Sequence, residues 1–340
     1  MTTQQRSVQR HGALRRLTVA ILPALLTGAG LSIGSSSPSL AQTYPGGKMI
    51  RLVVPYPPGG STDIVGRYVG QKLSDVLGTQ VLVENKPGAG TNIGTEQVAR
   101  APADGTMLLI GSFANGVNKS LFPGLKFDPT KDLLGISLIS LGSIIMTVPP
   151  DFPVKTVGEF IAMAKAQPGK LNFGATPGSS SHLAGELFKS IAGISIEPVM
   201  YKGGAAALTD LIGGRIQLIF DNPQILLPLE KSGRVKLLAV TGNERAAYHP
   251  SLPTMIEAGV PGYEIYSWYG LMGPAGLPAH VVKVLEDAMA KVAAMDEVKA
   301  KFTEWGIVPI GSNSARMSQF FQDENRKWEK VVRSANIKLD

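Results

Sequence analysis

Strand, turn and helix signals alternate through most of this chain, and they point to an α/β protein of two domains joined by a two-strand hinge. Three observations carry that reading. Short β-branched runs are each followed by a Gly-rich turn and then by apolar residues at helical spacing, the rhythm of parallel strands covered by helices. At 340 residues the chain exceeds what one hydrophobic core usually fills. Two apolar crossings, near Ser140–Val148 and Tyr263–Met272, divide it into two such halves. The resulting boundaries are residues 1–41 for a targeting segment, 44–143 with 267–340 for one domain, and 144–266 for the other.

Met1–Ala41 has the three parts of a secretory signal peptide. Arg6, Arg10, Arg15 and Arg16 precede any acidic residue, Leu17–Leu31 is mostly apolar, and Ser39-Leu40-Ala41 is a small-x-small cleavage site. Arg15-Arg16-Leu17 weakly resembles a twin-arginine signal, but the general export route fits better. The expected location is therefore periplasmic, after cleavage. The whole chain carries +7; without the leader, 29 Lys and Arg face 26 Asp and Glu. The high pI is partly a property of the leader, and no Lys/Arg run suggests nucleic acid. The absence of cysteine removes disulfides, thiolate nucleophiles and thiolate metal sites.

The first strand is Ile50–Val54, ended by Pro55-Tyr56-Pro57-Pro58-Gly59-Gly60. Ser61, Thr62 or Asp63 can cap a helix to about Leu77, with Val65, Tyr68, Val69, Leu73 and Val76 at helical spacing. Such a loop aims free N–H groups and a helix dipole at whatever lies in it, which suits an anion. A plain connecting turn is the alternative. Val81–Glu84 is the next strand, Asn85–Gly90 a turn, Thr91 or Asn92 a cap for a helix to Arg100, and Thr106–Ile110 a strand followed by Gly111–Asn115. Ligands in parallel sheets sit beyond the carboxyl ends of strands. Residues 55–63, 85–92 and 111–116 all lie there.

The second half repeats the pattern. Val157–Ala166 is a helix, Leu171–Phe173 a strand, and Gly174–Ser181 a Gly/Ser-rich loop before a helix from His182 to Ala192. Glu197–Tyr201 is a strand, Lys202-Gly203-Gly204 a turn, and Ala205–Ile212 a helix. Ile216–Phe220 ends at Asp221-Asn222-Pro223, and Val235–Thr241 is another strand. Pro278–Ala294 and a stretch capped by Ser312 or Asn313 are the closing helices.

Ser179 or Ser180 with His182, and Asp221 on another strand end, allow a secreted α/β hydrolase as the alternative function. The G-x-S-x-G elbow is missing, because Gly178-Ser179-Ser180-Ser181 lacks its second glycine. Gly88–Gly94 has the spacing G-x-G-x-x-x-G, one residue off the dinucleotide fingerprint, and there is no Walker lysine motif. No His/Asp/Glu cluster has metal-ligand spacing, so no cofactor and no metal are expected. What remains is binding by loops rich in N–H and hydroxyl donors, without an evident acid, base or nucleophile.

The stretches Val54–Asp63, Glu84–Gly90, Ala103–Leu109, Gly178–Leu183, Tyr201–Gly204 and Leu252–Gly259 occur in this order after an export signal. In that set the chain, from Tyr44 to Asp340, closely resembles the tripartite tricarboxylate transporter substrate-binding receptors, the Bug family. The resemblance implies a two-domain, Venus-flytrap periplasmic binding protein, non-enzymatic, with partners that are a small carboxylate and membrane permease subunits. The carboxylate would be a di- or tricarboxylate, an acidic amino acid or an aromatic acid. It further implies ligand contacts from Tyr56, Gly59, Gly60, Ser61 and Asp63 in the first loop. In the second-domain loop it implies Thr176, Gly178, Ser179 and Ser180, with Asp221 and Asn222 at a cleft-facing strand end. Ser112–Asn115 departs from the family's small, Pro-rich pattern; Ser112 is kept as a candidate. Tyr201 and Lys202 are candidates because strand-end loops carry function disproportionately, a packed ring and a solvated turn being the alternatives. Trp268 and Tyr269 are expected in the hinge or core rather than against a ligand.

Overall fold

The computed structural model describes residues 44–334 and residue 337. The signal-peptide reading therefore lies outside the described residues. Among the described residues no helix is long and apolar enough to cross a membrane.

The first half starts with β1 (Ile50–Val54), α1 (Ser61–Leu77), β2 (Val81–Asn85), α2 (Asn92–Ala99), β3 (Met107–Ser112), α3 (Phe113–Leu121) and α4 (Pro129–Asp132). The chain then runs through β4 (Leu133–Ser143) into β5 (Ile145–Val148), the first strand of the second sheet. That half continues with α5 (Val157–Ala166), β6 (Asn172–Ala175), α6 (Ser180–Ala192), β7 (Glu197–Met200), α7 (Gly204–Ile212), β8 (Leu218–Asp221), α8 (Pro223–Lys231) and β9 (Lys236–Val240). β10 (Tyr266–Pro274) returns to the first sheet, followed by α9 (Ala279–Ala294), α10 (Asp296–Glu304), β11 (Val308–Pro309) and α11 (Ser314–Ser334).

The six-stranded sheet has the order β11-β4-β10-β3-β1-β2, and the five-stranded sheet the order β7-β6-β8-β5-β9. Both are mixed rather than purely parallel. β1 pairs parallel with β2 and β3, but β10 lies antiparallel between β3 and β4. In the second sheet β6 is parallel to β7 and β8, and β5 is antiparallel to β8 and β9. β5 and β10, the strands by which the chain enters each sheet from the other half, both run antiparallel to their neighbours.

Those two crossings meet at Thr241, which is fully buried. Its hydroxyl accepts from Ile144 N at 3.0 Å and donates to Ile265 O at 2.7 Å. Ile265 N in turn donates to Thr241 O at 3.1 Å. One side chain thus satisfies backbone groups of both crossing segments where neither has a regular ladder partner.

α1 packs so closely on its sheet that a Cβ on Gly66 would meet Val54 Cγ2 at 2.8 Å. Val65, Val69 and Leu73 fill the rest of that face with Ile50, Leu52 and Ile110. In the second half Phe188 of α6 anchors an aromatic group with Phe160, Phe220 and Tyr263, ring centroids 6.0–6.4 Å apart. Trp268 sits fully buried against Phe320 and Phe321 of α11.

Several local expectations need correction. α1 is capped by Gly60, with no side-chain cap, rather than by Ser61, Thr62 or Asp63. β3 runs past the expected Ile110 to Ser112, and α3 follows at once. Gly174 and Ala175 belong to β6, and α6 starts at Ser180 rather than His182. Asp221-Asn222-Pro223 is a strand end and a helix cap, with Pro223 in the first turn of α8, where its missing N–H costs nothing.

Candidate binding cleft

Five helices begin at one place. α1, α3, α6, α7 and α8 each follow directly on the carboxyl end of a strand, and their first residues line a cleft of ≈ 570 Å³ between the two sheets. The first sheet supplies Tyr56–Thr62, Ser112, Phe113, Ser267 and Tyr269. The second supplies Thr176, Ser179–Ser181, Lys202–Ala206, Asp221, Asn222 and Gln224. The helix caps there differ in one important respect. Ser179 caps α6 with its own side chain, accepting from His182 N. Gly60, Gly203 and Asn222 give α1, α7 and α8 no side-chain acceptor. First-turn N–H groups of those three helices are left to whatever occupies the cleft, and each helix adds a positive dipole end. Among the lining residues only Lys202 and Asp221 carry formal charge.

The Tyr56–Gly60 loop is held from behind by Asp63. Asp63 Oδ2 accepts from Gly59 N at 2.9 Å and Arg67 Nε at 3.0 Å, and Oδ1 from Asn85 Nδ2 at 2.8 Å. Asn85 Nδ2 also donates to Tyr56 O at 3.0 Å. Burial by itself would raise the Asp63 carboxyl; hydrogen bonds from Arg67, Gly59 and Asn85 outweigh it and hold the group below its ordinary 3.8. Gly59, at φ +85°, is the loop residue whose backbone requires glycine; Gly60 has φ −83°. Asp63 was expected at the ligand. It is 3 % exposed and absent from the cleft lining, so it shapes the loop instead.

Eleven of the fourteen expected residues come together in the lining: Tyr56, Gly59, Gly60, Ser61, Ser112, Thr176, Ser179, Ser180, Lys202, Asp221 and Asn222. Gly178 does not reach it. It sits at φ +74°, and a Cβ there would run into Asn118 Oδ1. Tyr201 does not reach it either. Its hydroxyl donates to Asp210 Oδ2 at 2.8 Å on α7, and its ring faces a second cavity of ≈ 1030 Å³. That second cavity also receives Gly88–Thr91, so the 85–92 strand end turns away from the cleft. Ser112 is paired with Tyr56, the two hydroxyls 3.2 Å apart; burial pushes the Tyr56 phenol up to about 12, so it remains a neutral donor.

Tyr269, Ser267 and Gln224 are cleft residues that sequence reasoning missed. Tyr269 is buried in the core on the returning strand β10, as expected, and its hydroxyl accepts from Gln224 Nε2 at 3.0 Å at the cleft wall. The available signal was the period of two along β10. Ser267 and Tyr269 face the cleft while Trp268 between them faces the core.

The hydrolase constellation is not assembled. His182 Nδ1 accepts from Gly178 N at 3.4 Å, and the ring lines the second cavity while Ser179 and Ser180 line the first. Burial, reinforced by the Lys189 charge, pushes His182 down to about 4, so it is neutral. The Ser179 hydroxyl donates to Thr176 O at 2.7 Å. Among the described residues no group of three His, Asp or Glu is placed to hold a metal.

Four approaches bring the two halves together. Asn222 Nδ2 donates to Ser61 Oγ at 3.1 Å. Cβ atoms built on Gly203 and Gly90 would meet Pro57 Cδ and Pro177 O, each at 3.1 Å, and Gly178 abuts Asn118.

Two mixed sheets, two crossing strands and a cleft at their strand ends define a two-domain periplasmic binding protein. The chain belongs to the tripartite tricarboxylate transporter family receptors, whose sequence profile matches residues 65–337. It is similar to BugT of Bordetella pertussis, 33% identical over 309 residues, covering 90% of this chain and 94% of that one. Among solved structures it is similar to Rpa4515 of R. palustris with adipate: TM-score 0.83, 35% identity, 85% of this chain and 98% of that one. MatC of Rhodopseudomonas palustris with bound malate gives TM-score 0.80 and 29% identity, over 84% of this chain and 98% of that one.

Proposed function

We propose that this chain is a non-enzymatic periplasmic receptor that holds a small carboxylate in the cleft and delivers it to permease subunits of a tripartite tricarboxylate-type transporter. The observation that carries this is the convergence of three helix N-termini lacking side-chain caps on one mostly neutral cleft. Unpaired N–H groups and dipole ends are matched by an oxyanion, and hydroxyls of Ser61, Ser112 and Ser180 complete the donor set. Adipate and malate in two similar proteins support the ligand class. On this reading residues 1–41 are removed on export. Residues 44–143 with 267–340, and 144–266, act as two domains that close on the ligand by bending at the crossings beside Thr241.

Calorimetry on a carboxylate found by thermal-shift screening tests this. Its primary amide should bind roughly 10–100-fold more weakly, the loss of a charge-assisted hydrogen bond in a desolvated site. Equal affinity for acid and amide would defeat the reading.

A further inference from the structure

Asp221 is out of place in a cleft made for anions. It ends β8, and its Oδ1 accepts from Asn222 N at 2.7 Å and Asn222 Nδ2 at 3.3 Å. Among the described residues Oδ2 accepts no hydrogen bond, and no Lys, Arg or His lies within 4.0 Å of the carboxylate. Oδ2 sits over the start of α7, where a Cβ on Gly204 would meet it at 3.0 Å. Across from it stands Tyr269, whose phenol the Asp221 charge helps push up. The cleft therefore sets one carboxylate acceptor among the donor groups of its uncapped helix starts.

A second carboxylate placed against Asp221 would meet a like charge in a site with little water to screen it. A hydroxyl or an ammonium would give Oδ2 the donor it lacks, and an ammonium would also pair the charge. We propose that Asp221 reads a hydrogen-bond donor on the ligand, so that the receptor selects a carboxylate that also carries a hydroxyl or ammonium group. Burial pushes this carboxyl up to about 6 and outweighs the lowering by its two Asn222 hydrogen bonds. The selection rests on the carboxylate reading above and narrows it.

Ligand series on fixed skeletons decide the matter. Succinate, malate and aspartate share four carbons and differ by H, OH and NH₃⁺; adipate and 2-aminoadipate repeat the contrast on six. Calorimetry at pH 7.5 should show the better donor-bearing acid of a series binding roughly tenfold or more tighter than its unsubstituted parent. Malate against aspartate tells a hydroxyl from an ammonium. Asp221→Asn keeps the shape and the Oδ1 acceptor, and should shrink that preference to within about threefold. A purely structural role would change all ligands alike. Should Asp221→Asn fail to fold, the wild-type preference is compared at pH 7.5 and pH 5, where it should shrink as Asp221 takes up a proton. The other titratable groups facing the cleft are Lys202, Tyr56 and Tyr269, and both phenols stay neutral over that range because burial raises them. Equal affinities across both series, or a preference unmoved by the variant and by pH, would overturn the role of Asp221 and leave the receptor intact. Failure of all five acids to bind wild type would overturn the selection by Asp221, while the carboxylate reading itself stands or falls on the acid and amide comparison above.

Discussion

Gly203→Val should abolish tight ligand binding while leaving the fold's stability nearly unchanged. Gly203 caps α7 at φ −175°, an extended backbone that any residue adopts. The substitution therefore meets no backbone strain. It meets Pro57 instead: a Cβ would stand 3.1 Å from both Pro57 Cδ and Cγ, and the valine methyls would lie beyond it. Pro57 belongs to the first sheet's loop and Gly203 to the second sheet's, so the clash exists only while the cleft is closed. Overpacking of this kind costs roughly 1–3 kcal/mol, and opening the cleft relieves it. On the proposed reading, in which ligand binds the closed form, apparent affinity falls by the fraction of closed molecules lost, roughly 5–150-fold. Small-angle scattering at saturating ligand should show a larger radius of gyration than wild type. Gly124→Val is the control, because a Cβ there meets nothing within 4 Å. Unchanged affinity and unchanged dimensions for Gly203→Val would mean that the closed geometry is not the binding geometry.

The parts of the fold legible in the sequence were those whose signal is local. β1, its Gly-Gly turn and α1 follow from a β-branched run, a breaker and helical spacing, and the observed bounds agree. Two other elements were hidden by residues that disfavour helix. α3 contains Asn115, Gly116 and Asn118, whose side chains are held by tertiary contacts: Asn115 Nδ2 donates to Thr95 Oγ1 at 2.9 Å, and Asn118 Nδ2 donates to Gly90 O. α8 carries Pro223 and Pro228 within nine residues. The mixed sheet order was not legible, because where β10 inserts depends on contacts far apart in sequence. At the site, strand-end loops identified most of the cleft lining. They could not tell Lys202, which faces the cleft, from Tyr201 beside it, whose ring is drawn away by Asp210. Nor could they separate Asp63, which supports the loop, from Ser61, which lines the cleft.

Asp63→Ala should be costly to the fold and to binding together. The side chain is the acceptor shared by Gly59 N, Arg67 Nε and Asn85 Nδ2. Its removal leaves the Gly59 N–H and the Asn85 amide without that partner beneath a loop that must hold Gly59 at φ +85°. Arg67 is half exposed and finds water, so its share of the ion pair is small. The loss of the buried acceptor then dominates, roughly 2–4 kcal/mol, or a fall of several degrees in Tm. pH dependence gives an independent reading of the same network. The folded pKa of Asp63 is depressed below its ordinary 3.8. Its contribution is therefore fully present above the unfolded value and is lost as pH falls through the folded one. Wild type should lose stability toward acid below about pH 4 more steeply than Asp63→Ala, so the two urea-unfolding curves converge there. Binding should fall as well, because Tyr56–Gly60 loses its support through Asn85 to Tyr56 O. A variant with wild-type Tm and parallel acid dependence would show that the Asp63 network neither holds the loop nor carries the charge assigned to it.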